Sequence, residues 1–146
     1  MVDSRSVTLA AFEAFSSRQR AMYAGGDVDA VRAALAEDVV WHVPGHSAIA
    51  GDHRGRDAVL AYFLRRRALA GGAMVIVHRA QMTYADVVIQ LADGEAQLGG
   101  ERVTWRTAGV YRIADGVIAE AWLVPLEPAR FEEVWLRLSR EAGLLG

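Results

Sequence analysis

The stretch YRIADGVIAEAWLVP, residues 111–125, decides the fold. An Asp-Gly pair, residues 115–116, separates two runs rich in β-branched and aromatic residues, and this pattern predicts a β-hairpin. The residues before it show the same composition between Gly-containing turns. The predicted strands of this region are residues 74–84, 86–98, 102–114 and 117–124. They form a long antiparallel meander.

Helical periodicity precedes the meander. Apolar residues share one stripe over residues 8–23, and Gly25-Gly26 ends that helix. Asp27 caps a short second helix. Residues 39–43 predict a strand, and a polar loop over 46–56 follows it.

A third helix begins at Asp57, and Pro128 admits a closing helix at the carboxyl end. The third helix carries three consecutive arginines, residues 65–67, in its last turns. Cations there complement the negative end of the helix dipole. We interpret this run as a solvated face rather than an anion site.

Helices gathered on one side of a curved antiparallel sheet make an α+β domain. The sheet is expected to wrap around the long N-terminal helix and to form a cone. No linker, repeat or low-complexity segment divides the chain, which is predicted to be one domain over residues 1–146.

The composition excludes several classes of function. The 146 residues are 53% hydrophobic and 23% charged, with a net charge of −2, which disfavours nucleic-acid binding. Cysteine, lysine and asparagine are absent, which excludes thiol chemistry, Schiff bases and a P-loop lysine. No long apolar run or signal-peptide pattern is present, so a cytoplasmic protein without membrane contact is expected.

Four segments carry a resemblance to a known superfamily: AGGDVD (24–29), LAEDVVW (35–41), GDHRGRDAVLAYF (51–63) and YRIADGVIAEAWLVP (111–125). They resemble the nuclear transport factor 2-like superfamily, which includes ketosteroid isomerases and SnoaL-like polyketide cyclases. The resemblance implies a cone with a hydrophobic pocket. It does not fix a reaction, because the superfamily hosts isomerases, dehydratases, cyclases, hydrolases and binding proteins.

The catalytic residues of these relatives are replaced here. Where ketosteroid isomerases carry a tyrosine and two aspartates, alignment places Gln19, Val43 and Gly109. SnoaL-like cyclases tend to have an acidic residue after the tryptophan of the last strand, where this chain has Leu123. Steroid isomerisation by the established mechanism is therefore disfavoured.

The candidate ligand-binding residues are mostly aromatic. Gln19 lies on the buried stripe of the first helix, either as a cavity-lining amide or as a core amide bonded to backbone. Alternation and the resemblance direct one face of each of the last two strands into the cavity. On the last strand, the predicted inward face consists of Ile118, Glu120, Trp122 and Val124. The predicted ligand-binding set is Gln19, Trp41, Trp105, Tyr111 and Trp122.

Glu120 and His42 are the candidate catalytic residues. Glu120 lies between apolar residues, where desolvation would raise its pKa toward the range of a general acid or base. Alternatively it forms a cross-strand ion pair with Arg106 or Arg112. Strict alternation directs His42 outward and Trp41 inward, although a bulge near Pro44 would reverse this.

His42, His46 and His53 with Asp52 could in principle bind zinc. Their spacing matches no metal motif, so neither a metal nor another cofactor is expected.

Two hypotheses of function follow. The first is acid–base catalysis on an apolar, carbonyl-bearing substrate of polyketide or terpenoid type, with Gln19 or Tyr111 as the donor to the oxyanion. The second is a ligand-binding or dimeric interaction module without chemistry. A homodimer through the outer sheet face is expected in either case, and the apolar residues predicted for that face include Ala108, Val110, Ala119, Ala121 and Leu123.

Overall fold

The computed structural model describes residues 3–143. Its elements are, in chain order, α1 (Ser4–Tyr23), α2 (Asp29–Arg32), β1 (Leu35–Val43), β2 (Gly51–Arg54), α3 (Arg56–Leu69), β3 (Val75–Tyr84), β4 (Val87–Leu98), β5 (Glu101–Ala114), β6 (Val117–Pro125) and α4 (Pro128–Glu141). The predicted α+β class is confirmed. None of the helices within residues 3–143 is long and apolar enough to cross a lipid bilayer.

Local sequence sets the ends of the helices. The carboxylate of Asp3 accepts a hydrogen bond from the backbone of Arg5 at 3.2 Å, so α1 begins four residues earlier than the periodicity predicted. Gly25, at a φ of 110°, follows its end. Asp27 accepts a hydrogen bond from the backbone of Asp29 at 2.9 Å, but the N-cap of α2 is Val28, so the predicted capping residue lies one position before the cap.

The six strands form one sheet in the order β2-β1-β6-β5-β4-β3. Strands β3 to β6 are the predicted antiparallel meander, whereas β1 runs parallel to β6. The prediction of a plain loop over residues 46–56 was wrong, because Gly51–Arg54 pairs with β1. That strand has no β-branched residue, so its conformation depends on pairing rather than on local propensity.

The concave face of the sheet packs against α1 through aromatic rings. Phe12 lies 4.9 Å from Tyr111, Phe15 lies 5.6 Å from Trp41, and Trp41 meets Phe63 edge-on at 5.0 Å, measured between ring centroids. All five side chains are buried. Burying each ring stabilises the fold by about 1.5–3 kcal/mol, so this cluster fixes α1 inside the cone.

A β-bulge at Ala119 sets which residues of β6 face inward. Ile113 pairs with Ile118, but Arg112 pairs with Glu120, so Ala119 is an extra residue in the ladder. The residues after the bulge therefore change faces. The prediction that Glu120, Trp122 and Val124 face the cavity with Ile118 was wrong, because the bulge turns these three to the convex outer face.

Candidate functional site

A cavity of about 30 Å³ lies between α1, α3 and the concave face of the sheet. A cavity needs roughly 10–15 Å³ to hold a water molecule, so this space is large enough for a small polar group. Four residues of the predicted ligand-binding set line it from the concave face, Gln19, Trp41, Trp105 and Tyr111, and the outward-facing Trp122 also borders it. The Trp122 ring, however, stacks on His42 at 5.4 Å on the outer face.

Two glycines give the aromatic lining its space. A Cβ at Gly109 would lie 2.5 Å from the Tyr111 hydroxyl oxygen, and a Cβ at Gly94 would overlap the Trp105 indole. Gly94 and Trp105 are direct partners between β4 and β5. Because both rings lie over bare backbone, a larger side chain at either glycine would push a ring toward the cavity.

Arg66 lines the cavity with its side chain buried, at 5% exposure. Interpreting residues 65–67 as a solvated face was wrong for Arg66, although it holds for the exposed Arg65. Val59, Tyr62, Phe63 and Arg66 follow the i, i+3, i+4, i+7 spacing of one helix face, and all four are buried. That spacing was the signal that could have identified Arg66.

The polar groups of the cavity include hydrogen-bond donors without acceptors. Arg66 Nη1 donates to the Tyr23 hydroxyl at 3.3 Å, while Arg66 Nε and Gln90 Nε2 meet no acceptor among residues 3–143. Leaving a buried donor unpaired costs about 1–3 kcal/mol. Burial raises the pKa of Tyr111, so its hydroxyl stays protonated at neutral pH. The cavity therefore offers N–H and O–H groups to a bound molecule.

His42 and Glu120 lie together on the outer face rather than in the cavity. His42 Nδ1 is 2.7 Å from Asp52 Oδ1, and His42 Nε2 is 2.6 Å from Glu120 Oε2. Arg112 Nη2 lies 3.5 Å from the other oxygen of Glu120. Strict alternation correctly directed His42 outward. The cross-strand ion pair considered for Glu120 forms with Arg112 rather than Arg106.

The electrostatics of this outer network differ from the expectation. The hydrogen bond from His42, helped by Arg112, lowers the pKa of Glu120, so the predicted rise was wrong. Partial burial lowers the pKa of His42, but the hydrogen bonds to Glu120 and Asp52 outweigh burial and raise it overall. An imidazole that donates from both nitrogens has no lone pair with which to act as a base.

The four side chains considered for zinc do not converge. His42 binds Asp52, whereas His53 Nε2 lies 3.0 Å from the Ile49 carbonyl and its ring stacks on Tyr62. In the part of the chain that the structure describes, no three histidine or acidic side chains form a metal-binding group.

Known proteins share both the sequence and the architecture. The SnoaL-like domain family matches residues 16–121. An uncharacterised protein of Mycobacterium tuberculosis, Rv0034, is 31% identical over 119 residues, covering 81% of this chain and 91% of its own length. The structure of Bal32a from a soil-derived mobile gene cassette is similar with a TM-score of 0.79 and 26% identity, covering 91% of this chain and 99% of Bal32a.

TerC co-crystallised with polyporic acid has the same fold, with a TM-score of 0.75 and 19% identity over 89% of this chain and 98% of TerC.

Proposed function

Because the chain belongs to the SnoaL-like family of the nuclear transport factor 2-like superfamily, we propose that it binds a small apolar molecule with a carbonyl oxygen in the cavity of the cone. One observation carries this proposal: aromatic rings and unpaired N–H donors line the same enclosed space. Rings supply apolar contact area, and a few convergent donors orient an oxygen atom. The complex of TerC with polyporic acid supports the proposal, because the same fold was crystallised there with a small molecule.

The size of the cavity limits how such a ligand enters. A space of about 30 Å³ is far smaller than the pockets of about 300–1,000 Å³ that typically hold whole small-molecule ligands. Accommodating a whole ring therefore requires side chains of the lining, such as Tyr111, to move.

Binding is better supported than acid–base catalysis. Among the described residues, those that line the cavity include no carboxylate and no imidazole that could take a proton. His42 and Glu120 remain the candidate catalytic pair, but His42 Nε2 and Glu120 Oε2 are hydrogen-bonded to each other on the face of the sheet opposite the cavity. We therefore place a ligand near Gln19, Trp41, Trp105 and Tyr111 without assigning it a reaction.

The proposal is tested by saturable quenching of tryptophan emission with cyclohexanone, a neutral apolar ketone. Ala92→Leu adds volume to the cavity lining, and we expect it to weaken binding about tenfold or more, since overpacking displaces a ligand from so small a space. Ala80→Leu makes the same change at an exposed site on β3 and should bind like the wild type. Unsaturable quenching, or equal binding by both variants, would rule out the cavity as the site.

We also infer a homodimer through the outer sheet face. The strand register places Leu91, Ala108 and Val124 in one row and Ile89, Val110 and Trp122 in the next. Leu91 and Val124 are 40% and 44% exposed, and a continuous apolar face of this kind marks an interface. Ala121 and Leu123, predicted for this face, instead point inward beside Tyr111 and Gly109 because of the Ala119 bulge.

Sedimentation equilibrium tests the homodimer. The wild type is expected to sediment as a dimer at micromolar concentration, and Val110→Asp as a monomer. A wild type that is monomeric under these conditions would disprove the inference.

A further inference from the structure

Arg66 is a buried cation with little to balance its charge. Its guanidinium lies 5.3–5.6 Å from the centres of the Tyr23, Tyr62 and Trp135 rings, and its Nη1 donates a hydrogen bond of 3.3 Å to the Tyr23 hydroxyl. Among residues 3–143, no carboxylate approaches it within 4.0 Å, although several exposed arginines have such partners. Buried charges are ordinarily paired, so this one is an exception that requires an explanation.

A second hydrogen-bond donor without an acceptor lies in the same cavity as Arg66. Gln90 Nε2 also lacks an acceptor among the described residues, and it lines the same cavity. The remaining polar lining consists of the neutral side chains of Gln19, Thr107 and Tyr111. The cavity is thus positively charged and rich in donors, and a negatively charged acceptor is its natural complement.

We propose that the cavity binds the carboxylate of an organic acid, with the oxygens facing the Arg66 guanidinium and the Gln90 amide. The proposal rests on the proposed function of the same cavity and specifies the chemical class of the ligand. A planar guanidinium matches the two oxygens of a carboxylate. A carboxylate is also a compact group, which suits a cavity of only about 30 Å³.

A purely structural role for Arg66 is the competing explanation. Stacking on three aromatic rings is favourable by itself. It explains the position of the guanidinium carbon but leaves Nε without an acceptor. The two explanations differ in one respect: only a carboxylate site distinguishes an acid from its neutral amide.

The test compares sodium benzoate with benzamide, which has the same shape without the charge, by isothermal titration at constant ionic strength. We expect benzoate to bind the wild type at least tenfold more tightly than benzamide, because hydrogen bonds to charged groups are the stronger ones. Arg66→Gln should abolish this preference. Arg65→Gln removes an exposed charge from the adjacent position of α3 and should retain it.

Each outcome identifies which proposal fails. If benzamide and cyclohexanone bind the wild type as well as benzoate does, the carboxylate inference is wrong and the proposed function stands. If none of the three binds, both are wrong. Should Arg66→Gln fail to fold, the preference of the wild type and its loss in Gln90→Met, which removes the second donor, decide the question.

Discussion

Gly94→Ala tests whether Trp105 and the cavity wall are packed as described. The added Cβ would lie well inside the 3.0 Å that real Cβ contacts essentially never breach, against the Trp105 indole. The ring is not free to withdraw, since it is 2% exposed and packs edge-on against the fully buried Trp135 at 5.1 Å. The Trp105 ring can therefore move only toward the cavity that it lines.

The magnitude follows from two opposing effects. Overpacking a buried contact typically costs about 1–3 kcal/mol. Replacing glycine by alanine within a strand returns roughly 0.5–1 kcal/mol. We therefore expect Gly94→Ala to lower the free energy of unfolding by about 1–2 kcal/mol. For a chain of this size that corresponds to a Tm lower by about 2–8 °C.

Urea denaturation, followed by far-UV circular dichroism, measures this change. Trp105→Phe removes the indole atoms that the new Cβ would meet, so the double variant should lose much less stability from the alanine than the single variant does. A Gly94→Ala protein as stable as the wild type, or an equal loss in both backgrounds, would refute the described packing.

Two further predictions concern charged side chains. Because the pKa of His42 is raised in the folded state, its contribution to stability is complete below about pH 6.5 and is lost as the pH rises through the folded-state pKa. The pKa values of Asp52 and Glu120 are lowered, so their contribution is complete above about pH 4.5 and is lost on acidification. The stability difference between the wild type and His42→Gln should therefore be larger at pH 6 than at pH 9, and a difference independent of pH in urea titrations would contradict the network. Arg67 donates to two backbone carbonyls near the end of α1, at 2.9 and 2.7 Å. Arg67→Ala should lower the free energy of unfolding by about 1–2 kcal/mol, and no change in urea denaturation would show that these bonds are unimportant.

Apart from β2, the order of the elements could be predicted from the sequence because the signals are local. The Asp-Gly turn at 115–116, the glycines after α1 and Pro128 at the start of α4 each act within a few residues. The burial of Gln19 also followed from periodicity, and it is confirmed, while its role in binding stays a prediction.

The face of β6 was not readable in the same way. Ala119 bulges because of how β6 pairs with its neighbouring strands, and nothing in the run Val117-Ile118-Ala119 distinguishes a bulge from regular alternation. One extra residue was enough to move Glu120 and Trp122 to the other side of the sheet.

Arg66 was missed for a different reason. Its position on the buried stripe of α3 was present in the spacing, but the exposed arginine beside it made the run resemble a solvated face. The helical spacing places Arg66 on the buried face of α3, whereas its residue type suggested an exposed position.

Side-chain amide resonances provide the most direct test of binding within the cone. The chain has no asparagine and four glutamines, so its ¹H–¹⁵N spectrum contains four pairs of side-chain NH₂ signals. Gln19 and Gln90 are buried in the cavity lining, whereas Gln81 and Gln97 are exposed and serve as internal controls. On titration with benzoate, we predict saturable shifts of the Gln19 and Gln90 signals and unchanged signals from Gln81 and Gln97. Unmoved Gln19 and Gln90 signals at millimolar benzoate, or equal shifts of all four pairs, would contradict a ligand site inside the cone.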